Sequence, residues 1–253
     1  MITGMPRIAI ATHDFDACVD RLRTEFGMPV VDMSPGSVES LGARLAMCVP
    51  EGGSNIELMS PANPKATLSQ SLWRFLERRG EGLFALMLEA PDPDEEAKVF
   101  ADRGLNVLPL MAGASGRDVH PNSTHGVLIR VYPVNSFSGV TAPSTSGLSG
   151  IMRVAVAVRD LGHARRVYQA GFGLACDPER EDAVRGVRAF ICRPPTGGVI
   201  EFVTPIDAAR SFACEVASFL DDREGLYALV LHATEDRDPT TVCGARIFFE
   251  RTS

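Results

Sequence analysis
The sequence predicts an α+β protein built of tandem βαβββ modules, in two fused copies of which the last module is truncated. Three observations carry this reading. The chain nearly repeats itself: Phe75-Leu76-Glu77-Arg78-Arg79-Gly80-Glu81-Gly82-Leu83 returns, one residue shorter, as Phe219-Leu220-Asp221-Asp222-Arg223-Glu224-Gly225-Leu226. Likewise Arg7-Ile8-Ala9-Ile10-Ala11 returns as Arg153-Val154-Ala155-Val156-Ala157, and Ile56-Glu57-Leu58-Met59-Ser60-Pro61 as Ile200-Glu201-Phe202-Val203-Thr204-Pro205. Such self-similarity marks a duplicated architectural unit. In each copy, alternating strand patterns are interleaved with helical spacing. A stretch rich in Ser, Thr, Gly and Pro, residues 135–150, separates the copies and reads as a linker. The expected halves are therefore 1–134 and 151–253.

Each element of the first copy follows from its pattern. On Arg7 to Ala11, Arg7, Ala9 and Ala11 share one strand face and Ile8 and Ile10 the other. Phe15, Val19, Leu22 and Phe26 fall near helical spacing, and Gly27 stops that helix. Strands follow at Ala43 to Val49 and Asn55 to Met59, joined by the turn Pro50-Glu51-Gly52-Gly53. A helix over Leu68 to Arg78 carries Trp73, expected against the core. The strand Leu83 to Glu89 starts a second module, with a helix over Pro93 to Arg103 closed by Gly104 and a last strand over Val127 to Tyr132.

The second copy opens with the same module: strand Met152 to Val158, helix Gly162 to Ala170, and strands Gly186 to Cys192 and Val199 to Val203. Its second module is shorter. The stretch from His232 to Gly244 replaces the much longer one from Glu89 to Gly126, so the helix and at least one strand are expected to be missing before the final strand, Ala245 to Glu250.

Composition excludes several functions. A net charge of -7 argues against nucleic acid or an anionic membrane surface as partner. No apolar run approaches the roughly 18 residues that span a bilayer. Met1 to Arg7 lacks the charged and apolar stretches of a signal peptide. On that basis a cytoplasmic protein is expected. Its six cysteines, with no CxxC spacing, then read as reduced core residues.

The order of modules and several motifs resemble the vicinal oxygen chelate superfamily, which includes glyoxalase I, extradiol dioxygenases and bleomycin resistance proteins. The likeness is nearest to the methylmalonyl-CoA epimerase branch, through Arg7 to Ala11, Ile56 to Pro61, Gly80-Glu81-Gly82-Leu83 and His120-Pro121-Asn122-Ser123-Thr124-His125-Gly126-Val127-Leu128-Ile129. The resemblance implies two glyoxalase-like halves forming half-open barrels, each with a divalent metal on four side chains. Those positions align with Arg7, Glu57, Ala85 and Arg130 in the first copy and with Arg153, Glu201, Ala228 and Phe248 in the second. Arg stays protonated and Ala has no donor, so three of four ligands are gone from each copy. The epimerase's bases align with Ser40, beside Glu39, and with Arg130. No metal and no cofactor is therefore expected.

What replaces the ligands sets the functional expectation. Arg7 should face Glu57, and Arg153 should face Glu201, as guanidinium–carboxylate pairs. These are either structural ion pairs or groups that orient a polar ligand. In the first copy Arg130 adds a positive charge without an evident partner, which favours an anionic ligand. Glu57, Arg7 and Arg130 are thus the catalytic candidates: Glu57 as base and the arginines as stabilisers of an enolate, in a lyase or isomerase step. His120, His125, Arg153 and Glu201 are the further ligand-binding candidates. The expected partner is a small organic anion or an acyl thioester, with a homodimer as one possible assembly. The alternative is a non-catalytic small-molecule binder of the bleomycin-resistance kind. The two differ in one observable: an enzyme needs Glu57 open to the cavity, whereas a binder needs volume and apolar lining.

Overall fold
A computed structural model describes residues 1–137 and 139–251. The first half runs β1 (Gly4–Ala11), α1 (Phe15–Thr24), β2 (Val30–Asp32), α2 (Ser34–Leu41), β3 (Ala43–Cys48), β4 (Asn55–Pro61), α3 (Thr67–Arg79), β5 (Gly82–Ala90), α4 (Pro93–Asp102), β6 (Arg117–Val119) and β7 (Leu128–Pro133). The second runs β8 (Leu148–Ala157), α5 (Leu161–Arg165) continued by a wider turn over Arg166–Gly171, β9 (Ala175–Cys176), β10 (Arg180–Asp182), β11 (Val187–Arg193), β12 (Val199–Pro205), α6 (Ser211–Asp222), β13 (Gly225–Ala233), β14 (Thr240–Val242) and β15 (Ala245–Arg251).

Each half forms its own open sheet, in matching order: β2-β3-β4-β1-β5-β7-β6 and β10-β11-β12-β8-β13-β15-β14, with β9 against β11. The register repeats too. Ala9 lies beside Glu57 and Ala85, and Ala155 lies beside Glu201 and Ala228. The molecule is therefore a mixed α+β protein of two half-open, glyoxalase-like halves.

Strand alternation divides the apolar residues into three clusters. One face carries Ile8, Ile10, Leu86 and Leu88 in the first half and Val154, Val156, Leu229 and Leu231 in the second; all join a single core running through both halves. Phe15, Val19 and Leu22 of α1, Phe100 of α4 and Tyr168 and Phe172 after α5 pack into it. Burying each such large side chain contributes about 1.5–3 kcal/mol. The opposite faces are separate. Ala9, Ala11 and Ala85 lie under Leu68, Leu72 and Leu76 of α3, and Ala155, Ala157 and Ala228 under Ala213, Val216 and Leu220 of α6. The halves meet closely enough that a side chain at Gly126 would strike the Glu224 carbonyl, and one at Gly244 the Glu81 carbonyl.

Helix signals act locally. Asp14 caps α1 by accepting from the Ala17 amide, and Asp160 does the same for His163 at α5. Asp92 accepts from the Asp94 and Glu95 amides, with Pro93 opening α4.

Several expectations change. Trp73 is 40% exposed, resting by its indole against the His13 ring rather than in the core. The last module lacks its helix among the described residues, but β14 takes the place of β6, so that strand is not lost. The segment after β7 is tied down: the Ala142 amide donates to the Val49 carbonyl, the Ala142 carbonyl accepts from the Glu51 amide, and the Thr145 amide donates to the Gly27 carbonyl. The cysteines are not all reduced. Cys18 of α1 is bonded to Cys243 across the halves, and Cys176 to Cys192 between β9 and β11. Cys48 and Cys214 remain thiols, and burial pushes the Cys48 thiol up to about 12. Among the described residues no helix is long and apolar enough to cross a membrane.

Candidate functional site
The polar residues of the first concave face come from one row across the sheet. Arg7 on β1, Met87 on β5, Arg130 on β7 and Asp118 on β6 sit side by side in register. Arg7 Nε donates to Glu57 Oε2 at 2.9 Å, with both side chains buried. The Arg7 guanidinium lies 4.3 Å from the Tyr132 ring centre and also donates to Ser136 Oγ. Burial alone would lower the Arg7 pKa, but Glu57 and Tyr132 more than offset it and hold it above the ordinary arginine range.

The surplus positive charge expected at Arg130 does not exist. Asp118 takes that guanidinium in both oxygens, Nε to Oδ1 at 2.5 Å and Nη2 to Oδ2 at 2.6 Å, and both residues are buried. The two-pronged geometry is the strong form of this pair. Burial pushes the Arg130 pKa down, while Asp118 and Tyr132 raise it further than burial lowers it. Asp118 escaped sequence reasoning because β6 is a three-residue strand beyond a Gly- and Ala-rich loop.

In the second half the expected partners are shared differently. Arg153 Nε lies 3.3 Å from Glu201 Oε2 but makes no hydrogen bond there, and this nitrogen is buried without a hydrogen-bond partner among the described residues. The same arginine reaches Glu250 on β15. Glu201 is instead gripped by Arg185, Nη1 to Oε2 at 2.9 Å and Nη2 to Oε1 at 2.6 Å. Arg185 is oriented by its own turn, where Asp182 accepts from its amide and its Nε. Burial lowers the Arg185 pKa, but Glu201 and Asp182 hold it raised. The repeat offers a signal for Arg185: it precedes Gly186 as Leu41 precedes Gly42.

The loop histidines do not join Arg7, Glu57 and Arg130. The His120 ring accepts from the Asn122 amide within its own turn. His125 turns away to the second half, where its Nδ1 meets Glu224 at 3.0 Å and its Nε2 meets His163 Nδ1 at 2.8 Å. Its side chain is buried rather than solvated.

A cavity of about 440 Å³ opens over Arg130 and Asp118 in the first half. Apolar lining comes from Phe84, Leu128 and the loop Leu108 to Met111, and polar lining from Thr67, Ser71 and Arg74 of α3. Arg7 and Glu57, on strands further along the same sheet, do not line it. The corresponding space in the second half is filled. Arg246 stands where the first half has Leu128, and it pairs with Glu215, which stands where the first half has Ser71. Tyr227 donates to the same carboxylate at 3.2 Å, and Phe248 packs edge-on against Phe212.

Neither family metal position suits a divalent cation. Each offers one carboxylate already committed to guanidinium, flanked by a fixed positive charge and by alanine. Ser40 lies on the exposed side of α2, donating to the Gly36 carbonyl.

Residues 7–120 match the family model described as Glyoxalase/Bleomycin resistance protein/Dioxygenase superfamily. Among solved structures, a triple mutant of 4-hydroxymandelate synthase from Streptomyces coelicolor is similar over 92% of this chain and 72% of that one, at TM-score 0.67 and 14% identity. A methylmalonyl-CoA epimerase in complex with methylmalonyl-CoA and NH4+ is 26% identical over 55% of this chain and 100% of that one, at TM-score 0.46. The methylmalonyl-CoA epimerase from Mycobacterium tuberculosis is 25% identical over 53% and 89%, at TM-score 0.44. No protein of curated function matches the chain by sequence.

Proposed function
We propose, for a chain whose N-terminal half belongs to the glyoxalase/bleomycin resistance protein/dioxygenase superfamily, that it is a metal-independent binding protein for a small organic anion with an apolar body. The observation that carries this reading is the position of Glu57. It is 2% exposed, held by Arg7, and outside the cavity lining, so it is not placed to take a proton from a ligand. The cavity over Arg130 keeps the volume and apolar surface a binder needs.

The anionic end is assigned to Arg74 rather than to Arg130, whose charge Asp118 neutralises. Arg74 lines the cavity, donates only to the Gln70 carbonyl, and has no carboxylate in ion-pair distance among the described residues. Ser71 and Thr67, one and two turns earlier on the same helix face, add hydroxyls.

The test rebuilds the second half's filling in the first. Ser71→Glu with Leu128→Arg should close the cavity, and Arg74→Ala should remove its free charge. Calorimetric titration with phenylacetate and with a short-chain acyl-CoA is expected to show binding by at least one probe. That binding should be lost in the double variant and weakened about tenfold in Arg74→Ala, equal to 1.4 kcal/mol. Unchanged affinity in the double variant overturns the assignment. Turnover that disappears in Glu57→Gln would restore the catalytic reading.

A further inference from the structure
A separate cavity of about 270 Å³ lies where the two halves meet, and its walls repeat across the duplication. Phe75, Arg79 and Phe84 line one side; Phe219, Arg223 and Tyr227, their counterparts in the second copy, line the other. Each arginine stands at the end of its helix and is braced on the aromatic ring one turn before it. The Arg79 guanidinium lies 5.9 Å from the Phe75 ring, and that of Arg223 4.7 Å from the Phe219 ring.

An arginine at a helix C-terminus is ordinarily a solvated partner of the helix dipole. Two features go beyond that. Duplication has set two such arginines on one cavity, and Arg79 has no carboxylate in ion-pair distance among the described residues. Among the described residues Arg223 pairs only with its neighbour Asp222. Glu81, the carboxylate on the lining, is committed to Thr12 Oγ1 and the amides of His13 and Asp14. Behind the two arginines a second cavity carries Arg159, His125 and His163 together with Glu224, whose carboxylate is committed to His125 and the Arg159 amide. The crowding registers on Arg79, whose pKa is lowered by burial and then by Arg223, against the weaker pull of Asp222.

We propose that this inter-half cavity is an anion site for a small phosphate monoester, its phosphoryl group held between Arg79 and Arg223 and its body against the aromatic rings. A phosphoryl group presents three oxygens in a tetrahedral array and so can accept from two guanidinium forks at once. A carboxylate has two oxygens in one plane and satisfies one fork. The site shares Phe84 with the cavity over Arg130 but none of its polar lining, and it does not rest on the function proposed for that cavity.

Phenyl phosphate is the probe, titrated into the full chain by calorimetry at low salt, with succinate as the dicarboxylate control. Expected is saturable binding weakened about tenfold by Arg79→Gln and by Arg223→Gln, and abolished in the double variant. Affinity should also fall steeply with added salt. Near-UV circular dichroism of the variants checks that the fold persists, since both side chains sit at helix ends. Arg74→Ala, which removes the free charge of the other cavity, should leave phenyl phosphate binding unchanged; loss there would move the anion to that cavity and overturn the proposal. Absence of binding, equal affinity in the wild type and the double arginine variant, or tighter binding of succinate than of phenyl phosphate overturns it as well.

Discussion
The two halves share strand order and register, yet they treat the same concave face in opposite ways. The first half keeps its charges in two closed pairs, Arg7 with Glu57 and Arg130 with Asp118, and leaves an open cavity above the second. The second half links its charges in a chain, Glu250–Arg153–Glu201–Arg185–Asp182, and fills the remaining space with Arg246, Glu215, Tyr227 and Phe248. The lesson is that one duplicated concave face can balance its buried charges by two routes. Closed pairs neutralise the floor and leave volume free, whereas a chain of alternating charges occupies the volume itself. A fold shared by both halves therefore predicts neither pocket.

The largest effect should come from cutting that chain at its centre. Glu201 is fully buried and shared by two guanidiniums, so Glu201→Ala takes the common carboxylate from both and leaves Arg153 only Glu250 and Arg185 only Asp182 among the described residues. A loss of about 3–5 kcal/mol is expected in urea unfolding. Glu57→Ala orphans Arg7 alone and should cost about 1–2 kcal/mol less, within the range for a lost charged hydrogen bond. Equal costs would mean that Arg153 draws nothing from Glu201.

The next effect concerns how the halves hold together. Cys18–Cys243 joins them, while Cys176–Cys192 lies within one sheet. The first closes a loop of sequence separation 225 and the second one of 16, so Cys18→Ser should cost about 2–4 kcal/mol and Cys176→Ser less. Thermal unfolding with and without reductant checks this. If reductant leaves the wild type unchanged, the cross-half bond contributes nothing.

A smaller effect separates Arg153 from Arg7. Removing Arg153 leaves Glu201 still bound in both oxygens by Arg185, and it also removes a buried Nε that has no hydrogen-bond partner among the described residues. Arg153→Ala should cost about 1 kcal/mol, whereas Arg7→Ala leaves Glu57 without any cation and should cost about 3 kcal/mol. A reversal of that order in denaturant midpoints breaks the account of the chain.

Much of this comparison was legible in the sequence. The repeats located the strands, and alternation on Arg7 to Ala11 put Arg7 and the alanines on the concave face and Ile8 and Ile10 in the shared core. The Arg7–Glu57 pair followed from the duplicated strand positions. What stayed hidden depended on short or irregular elements. Asp118 sits on a three-residue strand, Arg185 in a four-residue turn, and neither carries a period. Helix α2 has no side-chain cap and buries only Ser37, so its sequence has no apolar stripe. His125 was misplaced because its loop was read within one copy, while its partners Glu224 and His163 belong to the other.

The smallest effect tests whether equivalent carboxylates at the junction do equivalent work. Glu81 and Glu224 occupy matching places before β5 and β13. Glu81 Oε1 accepts from Thr12 Oγ1 at 2.7 Å and from the His13 amide at 2.7 Å, holding the entry to α1. Glu224 Oε1 accepts from the Arg159 amide at 2.6 Å, and its other oxygen meets His125. Burial raises the Glu81 pKa, but the Thr12 hydroxyl and the two amides more than offset this and hold it below the ordinary glutamate value. A carboxyl lowered in the folded state contributes stability that is complete above its unfolded pKa, about 4.3, and is lost as pH falls through the lower folded value. Wild-type stability should therefore decline through that acid window partly because Glu81 takes up a proton. Glu81→Gln keeps the shape and gives up the charge, at a cost below about 1 kcal/mol near neutrality that shrinks toward zero in acid. Urea midpoints measured between neutrality and strong acid decide the matter. If the gap between wild type and variant stays constant with pH, Glu81 acts by shape alone, and the two halves are capped without the help of its charge.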